Sequence, residues 1–350
     1  MSLKPEDFSC PLPLTAHDTV QLAHGSGGRL TAELVDKFFL PRFANPTLAR
    51  LEDQAVLDCP AGRLAFTTDT FVVDPLFFPG GSIGELAVNG TVNDVAMGGA
   101  RPLWLSAAFV IEEGLPLAVL HAVLLAMEKA AQAAGVSIVT GDTKVVQKGA
   151  CDKLFINTTG LGVVPDGINL SAANLQPGDA VLLSGTIADH GLAILTCREG
   201  LSFESRIESD TAALYGLVAV VLAVCPEMRA MRDPTRGGVA TTLNEFAKSS
   251  GMGIMLREEA IPVRPAVRAA CEVLGIDPLY VANEGKLVAV VPAAQAETVL
   301  AAMRAHPLGR HAVRLGEVTA KNPGLVAMRT ALGTHRIIDM PVGEQLPRIC

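Results

Sequence analysis

Two series of alternating strand and helix patterns, separated by a stretch of loop chemistry, constrain the fold of this chain more than any other feature. In the first series, RLAFTT (63–68) has the β-branched and aromatic character of a strand. SIGELAVNGTVNDVAMGG (82–99) follows as a helix stopped by Gly98-Gly99. LWLSAAFVI (103–111) is a strand, and Pro116 opens a helix with apolar positions at Leu117, Leu120, Val123, Leu124 and Met127. SIVT (137–140) and LFINTTGLGVV (154–164) complete the series as strands. Residues 165–178 then carry two Pro, two Gly and two Asn, which is loop chemistry. The second series has a strand at 179–185 and helices at about 187–199, about 210–225 and 236–251. Strands follow at 253–256, 286–291, 312–318 and 335–339. The pattern predicts two mixed α/β domains, residues 1–168 and 169–340, and an irregular tail, 341–350.

Length permits this: 350 residues, against roughly 100–200 per domain. The formal net charge of −8 argues against a general nucleic-acid binder, whose affinity comes from neutralising phosphates. ATP remains allowed, because it needs only a local cationic site. Charged residues are 18% and mean hydropathy is +0.37, which points to an extensive buried subunit interface. The longest apolar stretch, near 212–225, is shorter than the ~20 residues of a membrane span. MSLKPEDFSC has no secretory character, so a cytoplasmic location is expected. The seven cysteines form no CxxC pair. Six are expected to fill small apolar gaps; Cys350 differs, as the last residue.

Five segments carry chemistry. AHGSGGR (23–29) is glycine-rich backbone that can approach phosphate oxygens closely, yet it matches neither common phosphate-loop pattern; a surface turn is an equal reading. Asp53, Asp69, Asp94 and Asp142, the last three in Thr, Gly and Asn settings, suit a metal–nucleotide site together, although each singly suits a turn or a cap. In RDPTRGG (232–238), Asp233 precedes a helix start containing Arg236, Gly237 and Gly238, a small anion site. Paired glycines are poor helix material, so close packing or close ligand approach must explain them. In ANEGKL (282–287), Glu284 and Lys286 can point to one side, as a general base, an ion pair or a solvent-facing pair; spacing favours the last. Finally, LPRIC (346–350) ends in a thiol on a tether, which suits a covalent carrier that visits two sites.

In these segments the chain resembles the HypE family, the carbamoyl dehydratases of nickel–iron hydrogenase maturation. That family belongs to the superfamily of aminoimidazole ribonucleotide synthetase and selenophosphate synthetase. The likeness covers nearly the whole chain: HGSGGRL (24–30), FTTDTFVVDPLFFPGG (66–81), GTVNDVAMGGARP (90–102), TGDTKVV (140–146), SGTIADHG (184–191), RDPTRGGVATTLNE (232–245), LYVANEGKL (279–287) and PRIC (347–350). The terminal Cys is its most specific part. Ser26 departs from the family's usual run of four glycines.

The resemblance implies two α/β domains, the N-terminal sheet completed across a homodimer, with ATP between the domains. It implies that Cys350 receives a carbamoyl group from the carbamoyltransferase HypF. ATP-driven loss of water then gives the S-cyanate, whose cyanide passes to iron on a HypC–HypD complex. Mg²⁺ is implied on Asp53, Asp69, Asp94 and Asp142. Phosphates are implied on Gly25, Gly27 and Gly28 and around Asp233, Arg236, Gly237 and Gly238. Glu284 is implied as the base, with Lys144 steadying developing charge. Nucleic acid and membrane are not expected partners. Two other classes compete. A selenophosphate synthetase typically carries a reactive Cys near the glycine loop, and Cys10 sits in no matching motif. A metal chaperone would need more soft ligands than one Cys.

Overall fold

The computed structural model describes residues 17–201 and 206–341. Cys10 and Cys350, and nearly all of the expected tail, lie outside the described residues.

The first series folds as α1 (Arg29–Leu34), β1 (Arg63–Phe71), β2 (Phe77–Phe78), β3 (Gly81–Ser82), α2 (Ile83–Met97), β4 (Arg101–Glu112), α3 (Leu117–Ala134), β5 (Ser137–Val146) and β6 (Leu154–Val164). Its main sheet has the order β1-β6-β4-β5. Strand alternation sends Leu105, Ala107, Phe109 and Ile111 to one side, where α2 and α3 bury them. Ser82 caps α2, its hydroxyl accepting from the Gly84 N–H. Helix α3 is long and apolar enough to cross a membrane, but Leu117, Leu120, Val123, Leu124 and Met127 are core residues here. Among the described residues the other side of the sheet carries no helix, and it exposes Leu64, Val110 and Phe66, the last 70% accessible.

Residues 165–179 contain no strand and only the short 3₁₀ turn Ala172–Asn174. The second series follows: β7 (Ala180–Leu183), α4 (Asp189–Arg198), α5 (Tyr215–Val224), β8 (Ala230–Arg232), α6 (Gly238–Ser250), β9 (Gly253–Arg257), α7 (Pro265–Leu274), β10 (Val288–Val291), α8 (Ala296–Ala305), β11 (Val313–Thr319), β12 (Val326–Arg329) and β13 (His335–Ile338). The sheet order is β13-β12-β9-β11-β7-β10-β8. Its central strands read as continuous apolar runs because both faces are covered. Val181 and Leu183 pack with α6, while Ala180 and Leu182 pack with α5 and α8. Sequence patterning placed most of these elements within a few residues. It did not anticipate α1, β2, β3, β8 or β12, which are too short to show a period, nor α7 and α8, which bury the narrow faces of Val267, Ala270 and Cys271 and of Val299, Leu300 and Met303.

The two halves share apolar packing. Ala96 and Met97 of α2 join the core of α5 and α8, and α4 and α7 pack into the core of the first half. The junction is therefore fixed by buried surface on both sides of the carboxylates described next.

Candidate active site at the domain junction

Alternation along β1 turns Asp69 toward the helix-covered side, between Thr67 and Phe71. Asp94 faces it from α2, and the Thr67 hydroxyl donates to Asp94 Oδ2 at 2.9 Å. From the second half, the turn after β8 supplies Asp233, and the loop before β10 supplies Glu284. Asn283 joins these two loops: its amide donates to the Pro234 carbonyl at 3.0 Å, and its Oδ1 accepts from the Ala188 N–H at 2.8 Å. Asn93 of α2 fastens the first half to this loop by donating to the Glu284 carbonyl at 3.2 Å.

The result is a carboxylate-rich junction in which burial raises every member. It pushes up Asp69, opposed by the Thr70 N–H and Arg236, and Asp94, where Asp69 adds to the effect. Burial and the Asp94 carboxylate push Asp233 up to about 7. Glu284, 3% exposed, is pushed well above the ordinary carboxyl range by burial, then by Asp233, Asp210, Asp69 and Asp94. Its Oε1 has no hydrogen-bond partner. Arg236 reaches to 4.0 Å from Asp69 but is largely exposed. Beside these groups lies a cavity of about 770 Å³ lined by Thr67, Asp94, Asp233, Thr235, Arg236 and Thr242.

The expected aspartate set does not assemble within one chain. Among the described residues, no three His, Cys, Asp or Glu side chains are placed to hold a metal ion together. Asp142 is the reason in part. It pairs in register with Ala108 on β4, so it and Lys144 face the open side of the sheet, opposite Asp69. They also sit on the far edge strand, about 14 Å from β1 at ~4.8 Å per strand step. There they pair with each other, Nζ to Oδ2 at 3.2 Å.

The glycine loop joins this second group. A Cβ on Gly25 would come within 2.6 Å of the Val145 backbone nitrogen, so only glycine lets the loop lie against β5. Gly27, at φ +80, and Gly28 are exposed with open space around them. Glu52 and Gln54, which flank Asp53, line a cavity of about 250 Å³ together with Thr31, Gly141, Asp142 and Thr143. The expected site thus falls into two groups, one at the domain junction and one on the outer edge of the first sheet.

The reading of one segment changes. Glu284 and Lys286 neither face solvent nor pair; Lys286 binds Asp210 instead, at 2.9 Å. For Gly237 and Gly238 close packing, one of the two reasons their pairing allows, is present. A Cβ on Gly237 would meet Thr241 Oγ1, and one on Gly238 would come within 2.5 Å of the Leu279 carbonyl. Sequence reasoning missed Asn283 and Asp210, whose partners lie far away along the chain. Asn93 carried a signal: a polar, weak helix former inside an apolar helix.

Mg²⁺ is usually held by one or two carboxylates plus substrate phosphates rather than by a protein cage. The raised carboxyls at the junction fit such an ion, since a cation relieves the repulsion among Asp69, Asp94 and Asp233.

Residues 51–164 match the N-terminal domain of the AIR synthase related proteins, and residues 176–327 match their C-terminal domain. The carbamoyl dehydratase HypE of Cupriavidus necator is 58% identical over 332 residues, covering 95% of each chain. A crystal structure of the hydrogenase maturation protein HypE in complex with ATP superposes with a TM-score of 0.92 at 51% identity, covering 95% of this chain and all of that one. A crystal structure of a HypE–HypF complex matches with a TM-score of 0.78 at 49% identity, covering 90% of this chain and all of that one. With both domains matched in order and identity above one half along almost the entire length, the chain belongs to the HypE family of ATP-dependent carbamoyl dehydratases.

Proposed function

We propose that this chain converts an S-carbamoyl group on its own Cys350 into an S-cyanate, at the expense of ATP, to supply cyanide for the iron of nickel–iron hydrogenase. The single observation that carries this reading is Glu284: a buried carboxyl with an unpartnered Oε1 at the junction where Asp69, Asp94 and Asp233 meet.

Hydroxide is a poor leaving group, so the carbamoyl oxygen must first be activated. That oxygen attacks the γ-phosphorus of ATP, and ADP leaves. The C–O bond then breaks, phosphate departs with its electrons, and carbon and nitrogen form the triple bond. The two nitrogen protons are removed; one ends on phosphate and one in solution. Glu284 takes a nitrogen proton, and a carboxyl whose pKa burial and neighbouring carboxylates raise is, once ionised, a stronger base than an ordinary one. Phosphoryl transfer is mostly positioning and charge neutralisation, which Mg²⁺ held by one or two of the junction aspartates, Asp69 and Asp94 foremost, together with the nucleotide's own phosphates would supply.

The outer-edge group, with Asp142, Lys144 and the loop of Gly25, Gly27 and Gly28, contributes from a second copy. Its face of the sheet is open and carries Phe66, Leu64 and Val110, an apolar surface suited to the same surface of a partner. Such pairing lets Lys144 and Asp142 of one protomer serve the nucleotide of the other, and Asp53 lies on the same edge. A HypF carbamoyltransferase is the donor to Cys350, in keeping with the solved HypE–HypF complex. A HypC–HypD complex is the acceptor of the cyanide.

Intact-protein and peptide mass spectrometry tests the reaction. After incubation with HypF, carbamoyl phosphate and ATP, the C-terminal peptide gains a carbamoyl group and then loses one water. In Glu284→Gln it stops at the carbamoyl or a phosphorylated stage, with dehydration slowed ~10²–10⁴-fold. Water loss at the normal rate in that variant moves the base elsewhere.

A further inference from the structure

Within the NEGK loop Glu284 Oε1 is buried with no hydrogen-bond partner, while the Glu284 backbone is bonded at both its N–H and its carbonyl. The Glu284 N–H donates to Asp210 Oδ1 at 3.1 Å, and Lys286 Nζ donates to the other carboxylate oxygen, Oδ2, at 2.9 Å. One carboxylate therefore grips the chain on both sides of Gly285. Both partners of the ion pair are buried, the Asp210 side chain 4% and the Lys286 side chain 12% exposed. Gly285 is in turn pressed on the strap: a Cβ there would come within 1.7 Å of the Asp210 carbonyl oxygen.

Asp210 belongs to residues 207–214, which have no regular structure yet are tied at nearly every position. The Ser209 N–H donates to the Pro79 carbonyl at 2.8 Å, and its hydroxyl lies 2.8 Å from His190 Nδ1. Asn89 of α2 donates to Thr211 Oγ1 at 3.3 Å. Asn93 donates to the Ala212 carbonyl at 3.0 Å and accepts from the Leu214 N–H at 2.7 Å. Arg264 donates to the Glu208 carbonyl at 3.1 Å. The strap thus runs between the helix that carries Asp94 and the loop that carries Glu284, and it binds both.

A buried ion pair is weak evidence for stability, because desolvation offsets most of its attraction. Two apolar residues would fill the same space at less cost. What they cannot do is accept a hydrogen bond from the Glu284 N–H while fixing the residue two positions on. The geometry points to Asp210 and Lys286 as positioning residues that set the place of Glu284 relative to α2 through the 207–214 strap. This inference rests on the reading of Glu284 as the base.

The test uses full-length enzyme loaded with the carbamoyl group, with single-turnover dehydration and the KM for ATP measured separately. Asp210→Ala is expected to slow dehydration about 10²-fold, the scale of a ~1 Å misplacement, while the KM for ATP stays within about twofold. The double variant Asp210→Asn with Lys286→Met keeps an acceptor oxygen for the Glu284 N–H and leaves no unpaired buried charge. It is expected to recover at least about tenfold of that loss. A merely structural role would instead lower the folded fraction and raise the KM for ATP with no recovery in the double variant, and that result overturns the proposal. So does a normal dehydration rate in Asp210→Ala. Glu284→Gln, run alongside, separates the two claims. If it is inactive while Asp210→Ala is normal, only the positioning role falls; if Glu284→Gln is itself normal, the base reading falls and takes the positioning role with it.

Discussion

Asn93 and Glu284 lie 191 residues apart in sequence, and a 3.2 Å hydrogen bond joins the Asn93 amide to the Glu284 carbonyl inside the junction of the two sheets. The same Asn93 side chain also donates to Ala212 and accepts from Leu214. One residue of α2 thus satisfies three backbone groups of the second half and ties the helix that carries Asp94 to the loop that carries Glu284.

Asn93→Ala removes all three hydrogen bonds and leaves buried partners unsatisfied, at about 1–3 kcal/mol for each orphaned group. The expected outcome is a clear fall in Tm, read by calorimetry, together with a loss of dehydration larger than the loss of ATP binding. Asn93→Asp keeps the acceptor for the Leu214 N–H but adds charge beside Asp94, and it should not restore activity. A stable, fully active Asn93→Ala would show that packing alone fixes the junction.

The division of the acidic residues into two groups predicts complementation. Asp94→Ala and Asp142→Ala should each weaken Mg-ATP binding without unfolding the chain, with partial rescue by raised Mg²⁺. Mixed dimers of the two variants should regain up to half of wild-type activity per dimer, because one of the two composite sites then carries both aspartates. Activity no higher than that of the separate variants would place both residues in sites built from one chain.

The buried ring of His121 on α3 predicts a pH dependence of stability away from the site. It is 4% exposed, neither ring nitrogen has a hydrogen-bond partner, and it meets Phe38 edge-on at 6.0 Å. Burial, helped by Arg42, holds its pKa below the ordinary 6.5. The unfolded chain therefore binds this proton more readily than the folded one. Its contribution to stability is fully present above pH 6.5 and is lost as the pH falls through the folded value. His121→Phe should shrink the drop in Tm between about pH 7.5 and about pH 5 by a few degrees. An unchanged drop would mean that the ring titrates normally.

Cys350→Ala should leave Tm and ATP binding as they are while abolishing acceptance of the carbamoyl group, read by mass spectrometry. Loss of ATP binding in this variant would count against a thiol that acts only as a carrier.

Much of the site was legible in the sequence because its chemistry sits in short, local words. TTDT, VNDVAMGG, RDPTRGG and ANEGK each keep their acidic residue within two positions of glycine, threonine or asparagine, and strand alternation and helix periodicity placed most of the elements that carry them. What the words could not state was which of them meet. Asp69 and Asp142 look alike in sequence, each following a strand-like run, yet the order β1-β6-β4-β5 and the pleat put them on opposite edges and opposite faces of one sheet. Asp210 carried no signal at all, since its meaning comes from Lys286, 76 residues on. Local elements, chemical inventory and family could be read from the chain in one dimension, because these depend on neighbours along it. The tertiary structure alone decided the grouping of carboxylates, the burial that raises Glu284, and the strap that holds it, because charge, desolvation and hydrogen bonding act through space between residues that the chain keeps far apart.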